Sequence, residues 1–85
     1  SLALVAESVV IQKGDKLVAL VYPDFDEAQS LNLGRSELEE VMEQNRQELN
    51  VMVPAYSKVS EIRIHEEEFE KTPKKSIKRF LYTAE

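Results

Sequence analysis

Apolar residues are distributed along this chain in three ways: near-continuous runs at the start, a helical period in the middle, and an alternation followed by a helical triplet at the end. Residues 7–11 and 17–22 are rich in Val, Leu and Ile, and Lys13-Gly14-Asp15-Lys16 separates them. Two β-prone runs around a short Gly-containing turn predict a β-hairpin. In the second run Val18, Leu20 and Tyr22 share one face and Leu17, Ala19 and Val21 the other, so this strand is expected to be covered on both sides. Pro23 and Asp24 end it. Residues 26–35 are polar, contain Gly34 and read as a loop.

A helix is predicted from Ser36, where Ser36 and Glu39 fit a capping box. Leu38, Val41, Met42, Asn45 and Leu49 recur at helical spacing, with Glu39, Glu40, Glu43 and Glu48 toward water, and Pro54 closes the segment. Asn45 is the polar member of the apolar stripe. Buried amides need partners, so it is read as satisfied by nearby backbone rather than as a ligand contact. Residues 58–64 place Val59, Ile62 and Ile64 as in a third, half-buried strand. Ile77, Phe80 and Leu81 stand at i, i+3, i+4 spacing and predict a short amphipathic helix. The expected fold is α+β: a small three-stranded, mainly antiparallel sheet in ββαβα order, packed with a long helix and a short C-terminal helix.

Eighty-five residues make one small domain, which buries only about 60% of the surface of its unfolded chain. The absence of cysteine excludes disulfides, Cys-based zinc sites and a Cys nucleophile, and two glycines are too few for a Gly-rich phosphate loop. His65 is the single histidine; with no second ligand at metal spacing it reads as a strand-end residue. No apolar run approaches the ~20 residues that span a bilayer. No secretory leader is expected, and the chain reads as soluble and cytoplasmic. The apolar run Leu2-Ala3-Leu4-Val5-Ala6 has no polar lead-in, so the chain is read as part of a longer one.

Charge is segregated. Residues 1–70 hold 6 basic and 15 acidic residues, a balance of −9, whereas residues 71–79 hold Lys71, Lys74, Lys75, Lys78 and Arg79 with no acid. Five cations in nine residues create a local positive potential on an acidic body and suit a compact anion such as a phosphate. The acidic remainder opposes long nucleic acid, and no aromatic ladder interleaves the cations. The competing reading is that these cations pair with the preceding glutamates, of which Glu66, Glu67 and Glu68 form an acidic corner.

Residues 53–82, VPAYSKVSEIRIHEEEFEKTPKKSIKRFLY, resemble the end of the AMP-forming acyl-CoA synthetases, the adenylate-forming superfamily, and most closely the long-chain fatty acid-CoA ligases. Pro54-Ala55-Tyr56, Phe69, Lys71-Thr72-Pro73 and Ile77-Lys78-Arg79 stand where the family has Pro-x-Tyr, an acidic segment with Phe, and a K-T-P-T-G-K-I-K-R motif. Residues 6–24, AESVVIQKGDKLVALVYPD, resemble the family's hairpin, so the resemblance covers about residues 5–82. It implies a partial C-terminal lid domain that swings between two poses, with the N-terminal ATP- and acyl-binding domain and the hinge outside this chain. It further implies a two-step reaction, in which a fatty acid and Mg-ATP give acyl-adenylate and pyrophosphate, and CoA then displaces AMP. ATP, Mg2+ and CoA would be held mainly by the other domain, and this piece alone would be inactive. Peripheral membrane association of the whole enzyme is left open. With the family's first helix missing, one face of the second strand is expected to be under-covered, exposing an apolar patch or driving self-association.

The resemblance carries one departure. A gapless match of TPKKSIKR places Lys74 on the family's Thr, Lys75 on its Gly and Ser76 on the lysine that bridges the substrate carboxylate and the ATP α-phosphate. Ser76 has no charge, so Lys75 stands first as the substitute and Lys78 as the alternative, loss of the cation being the third reading. Lys74 and Arg79 are read as phosphate-facing or interdomain; Lys71, Thr72 and Pro73 as shaping the loop, with Thr72 at an N-cap and Pro73 at N1. Losing the Gly is expected to free the loop from the family's left-handed turn. A different class remains as the alternative function: a freestanding interaction module whose basic tail binds an acidic partner or an anionic ligand.

Overall fold

A computed structural model describes residues 2–83; Glu85, the one acidic residue after the basic segment, lies outside them. The chain is a small α+β unit: a three-stranded mixed sheet, one long helix on one face, and an irregular C-terminal segment on the other.

Strands β1 (Val5–Lys13) and β2 (Lys16–Pro23) form the expected antiparallel hairpin, paired from Lys13↔Lys16 outward. Gly14 has φ +63°, the left-handed conformation that a two-residue hairpin turn requires and that glycine adopts freely. Strand β3 (Val59–Ile64) pairs with β2, but in parallel. The expected mainly antiparallel sheet is therefore corrected to one antiparallel and one parallel pair. The reason lies between the strands: a parallel neighbour requires a crossover, and the helical segment after β2 returns the chain to the end where β2 began.

That segment is not a loop followed by one helix. Residues 25–30 form helix α1 (Phe25–Ser30), where the expectation was a loop. Asp24 caps it, its Oδ1 accepting the Glu27 N–H at 3.0 Å. Asn32, at φ +58°, ends it, with Leu33 N–H donating to Ala28 O and Asn32 N–H to Gln29 O, the Schellman pattern in which Asn replaces Gly. Helix α2 (Arg35–Val51) starts before the predicted Ser36 cap: Gly34 is the N-cap, and its N–H donates to Glu37 Oε1 at 2.7 Å. At the other end Asn50 grips the start of β3, donating to Val59 O and accepting from Val59 N–H, both at 2.9 Å.

The core has two parts, one on each face of β2, as its uninterrupted apolar run predicts. Toward the helices, Ala19 and Val21 meet Ala28, Leu38, Met42 and Val59. On the opposite face, Val18 and Leu20 meet Val9, Ile11 and Phe69, with Ile77 and Tyr82 at the margin. β2 thus has no bare face. The expected under-covered side is corrected: the chain's own C-terminal segment covers it. Asn45, 2% exposed, donates Nδ2–H to Ala3 O at 2.8 Å, the backbone satisfaction expected of it. An irregularity in pairing at Ala6 shifts Val5 to the helix-side core and leaves Glu7 in register with Tyr22, next to Val9 of the opposite core. A bulge re-aims side chains in this way.

The predicted terminal helix is a single 3-10 turn, Arg79–Leu81. Ile77 packs inward, whereas Phe80 and Leu81 are 71% and 43% exposed. Ile77 cannot belong to a helix with them because it is bridged to Lys71 as in a hairpin. No helix among the described residues is long and apolar enough to cross a membrane.

Candidate functional site

The basic segment folds as a small hairpin whose base is residues 71 and 77. Lys75 N–H donates to Thr72 O at 2.8 Å, closing a β-turn with Pro73 at the position where its fixed φ is favoured. Thr72 N–H donates to Ser76 O at 2.8 Å, and Ser76 N–H donates to Thr72 Oγ1 at 3.2 Å. Thr72 and Pro73 therefore shape a turn and do not start a helix, which corrects their N-cap and N1 assignment. Lys75 has φ +66°. A turn followed by a left-handed residue is a common three-residue hairpin connection, and Lys75 takes here the conformation a glycine would take. The expectation that the left-handed turn is lost with the Gly is corrected.

One carboxylate fastens the base of this hairpin to the sheet. Glu7, re-aimed by the β1 irregularity, accepts the Phe69 N–H on Oε1 at 3.1 Å and the Lys71 ammonium on Oε2 at 2.5 Å. Lys71 Nζ also donates to Phe69 O at 3.2 Å. The Glu7 hydrogen bond, aided by its charge and opposed by desolvation, raises the Lys71 ammonium above the usual lysine range. Lys71 is thereby a structural cation. Phe69, 2% exposed, is packed by the His65 ring at 4.9 Å and the Tyr82 ring at 5.0 Å. The Tyr82 hydroxyl accepts the Glu70 N–H at 2.7 Å, and Lys78 N–H donates to Glu70 O at 2.8 Å. His65 follows directly on β3, its N–H donating to Val21 O at 2.7 Å. No cluster of three His, Cys, Asp or Glu side chains among the described residues is placed to hold a metal ion.

The five cations divide as a result. Lys71 is consumed by Glu7, a residue far upstream and not one of the preceding glutamates. Of the acidic corner, Glu66 is engaged by Arg35. Lys74, Lys75, Lys78 and Arg79 make no ion pair with any carboxylate among the described residues. Lys74, Lys75 and Ser76 are exposed at the hairpin tip, Lys78 is half-buried at its base and Arg79 is exposed beyond it. The tip can offer mobile positive charge to an anion but holds no nucleophile or general base arranged for catalysis by itself. Sequence reading missed Glu7 and Tyr82, which hold the loop. Nothing in the local pattern marks Glu7, since its role depends on a bulge and on a partner 62 residues away.

A second concavity, of about 490 Å3, opens between α1 and α2 and is lined by Phe25, Ala28, Leu33, Leu38 and Arg35 among others. No predicted site residue borders it. Compared with protein-family models, curated proteins and solved structures, the chain matches none.

Proposed function

We propose that this domain is the mobile C-terminal lid of a long-chain fatty acid-CoA ligase, closing over an acyl-adenylate site in an AMP-forming reaction. The observation that carries the reading is the 71–77 hairpin, anchored at its base by Glu7 and Phe69 and holding Lys74 and Lys75 unpaired at its tip, with Lys75 in a left-handed conformation at the position that the resemblance aligns with a glycine. A cation delivered from a rigid base matters where negative charge accumulates on carboxylate and phosphoryl oxygens. Preorganised donors of this kind contribute about 10²–10³-fold in rate. Lys75 is assigned that role, with Lys78 as the alternative; Lys74 and Arg79 face the phosphates or the neighbouring domain. Magnesium would arrive with ATP, and no residue of this chain is assigned to it.

The test is made in the full-length protein that carries these residues, measuring fatty-acid-dependent ATP–pyrophosphate exchange separately from thioester formation on supplied acyl-adenylate. Lys75→Ala is expected to lower exchange by about 10²–10³-fold and to spare the thioester step. Lys75→Gly/Ser76→Lys, which rebuilds the family motif on the same turn, is expected to restore exchange. Retained exchange in Lys75→Ala with loss in Lys78→Ala would move the role to Lys78. Absence of any acid-dependent exchange in the wild type would overturn the ligase reading in favour of the interaction module, which the same unpaired cations also suit.

A further inference from the structure

Strand β1 is an edge of the sheet, with β2 as its neighbour, and its register shows which backbone groups are left over. Lys13 and Lys16 flank a two-residue turn and are paired, so they exchange both backbone hydrogen bonds. Such pairs recur at every second residue of an antiparallel ladder. Glu7, Val9, Ile11 and Lys13 therefore direct N–H and C=O at β2, whereas Ser8, Val10 and Gln12 direct theirs away from the sheet. All three are exposed, Val10 at 44%. An edge like this is a template for another strand unless a charge, a proline or a bulge blunts it. The bulge at Ala6 and the turn at Gly14 bound the regular run 7–13, and between Ser8 and Gln12 nothing blunts it. The other edge, β3, carries Glu61 and Arg63, ion-paired at 3.2 Å.

The run E-S-V-V-I-Q-K is complementary to its own reverse, which sets Glu7 against Lys13, Ser8 against Gln12, Val9 against Ile11 and Val10 against itself. We infer that β1 is an interface with a second copy of this chain, paired antiparallel about a two-fold axis at Val10 so that the two sheets become one. Three features support this register. Outward-facing residues meet outward-facing residues, so the Val10 pair and both Ser8–Gln12 pairs exchange backbone hydrogen bonds. The faces match, because an axis normal to the sheet keeps Val9 and Ile11, which pack toward Phe69, on one side and the Val10 pair on the other. Opposite charges, a favourable cross-strand pair, stand at both ends. Lys13 makes no ion pair among the described residues, and Glu7, which holds Lys71, has acceptor capacity for a second ammonium. Moving the axis to Val9 or Ile11 would set a charged end against an apolar residue. The contact runs about 24 Å along one strand and is smaller than the interfaces of stable complexes, so the pairing is reversible. It uses the edge of β1, not a bare face of β2, and does not depend on the ligase reading.

The chain has no cysteine, so Val10→Cys supplies a single thiol. Across the axis the two Cα atoms at position 10 stand about 5.5 Å apart, within disulfide reach. Ser8→Cys, exposed on the same edge, stands about 14 Å from its copy, beyond the ~7 Å limit. With diamide as oxidant, Val10→Cys is expected to form the disulfide dimer at least about tenfold faster than Ser8→Cys, the reacting thiols being held at high effective concentration. Sedimentation equilibrium of the unmodified chain should show monomer and dimer. Val10→Pro removes only an outward-facing N–H, which an edge strand tolerates; it deletes both hydrogen bonds across the axis, each worth roughly fivefold, and should weaken dimerisation about 25-fold with an unchanged far-ultraviolet spectrum. If Val10→Pro fails to fold, the two cysteine variants decide. Equal cross-linking of those variants, a wild type monomeric at millimolar concentration, or growth beyond the dimer would overturn the inference. Capture of an extended valine-rich peptide by a chain that stays monomeric would also overturn it, assigning the edge to another protein's strand.

Discussion

Phe69 closes the second core, and removing its ring tests whether the C-terminal segment really covers β2. The side chain is 2% exposed, buried with Val9, Ile11, Val18 and Leu20, and flanked by the His65 and Tyr82 rings. Phe→Ala at such a site costs about 3–5 kcal/mol. A domain of 85 residues has only about 4–13 kcal/mol in total, at ~0.05–0.15 kcal/mol per residue. Phe69→Ala should therefore lower Tm by at least about 12 °C, taking ~4 °C or more per kcal/mol for a domain of this size. Phe69→Leu, which keeps much of the apolar volume, should lose a fraction of that. Calorimetry gives the Tm, and hydrogen exchange locates the damage. The Thr72 and Lys78 amides, which donate to Ser76 O and Glu70 O, should lose protection before the amides of β2. A hydrophobic dye should bind the variant, because the face of Val18 and Leu20 is laid open. Melting of Phe69→Ala within about 3 °C of wild type, far below the shift expected of a buried ring, with tail amides still protected, would show that the segment does not contribute to the core.

Two further expectations concern single side chains. The Glu43 carboxyl is held down to about 2, chiefly by the Arg46 hydrogen bonds and secondarily by Gln47. A depressed folded value means its contribution is present above the ordinary 4.5 and is lost as pH falls through 2. Carbon-13 NMR should find Glu43 titrating near 2, and Glu43→Gln should flatten the stability profile between those values; titration at the ordinary value would contradict the Arg46 geometry. Asn45→Ala removes the donor to Ala3 O and should cost about 1–3 kcal/mol by urea unfolding, with unchanged stability counting against the buried hydrogen bond.

Periodicity made much of this fold legible. The hairpin, the long helix and the third strand could be read because each buries a regular subset of its residues, and both faces of β2 are apolar for the reason inferred. What escaped depends on interactions that span the chain or leave little pattern. Helix α1 is a single polar stretch with only Phe25 and Ala28 turned toward the core, so its signal reduced to the Asp24 cap. The direction of β3 depends on how far the crossover carries the chain, which composition does not encode. The triplet Ile77, Phe80, Leu81 has helical spacing by coincidence: a cross-hairpin bridge, not a helix, orients Ile77. The tail cations could be counted, but which one is neutralised could not, because Glu7 reaches Lys71 only through the bulge at Ala6.

The candidate loop turns on the same distinction between residue type and position. A left-handed non-glycine residue costs roughly 1–2 kcal/mol, and Lys75 bears that cost at φ +66°. The turn holds it there because Thr72 supplies both an acceptor for the Lys75 N–H and a hydroxyl acceptor for the Ser76 N–H, and these bonds define the turn around residue 75. A conformation that suits glycine thus carries a cationic side chain. A lysine at position 76 would leave from the paired arm of the hairpin, whose backbone is bonded to Thr72 on both its N–H and C=O. The two side chains therefore leave the hairpin from adjoining points, one at the turn and one on its paired arm. If Lys75 serves the proposed reaction, an added lysine at 76 should not simply double its effect, and Ser76→Lys in the presence of Lys75 should crowd two ammonium groups toward one anion and gain less than the Lys75→Gly background does.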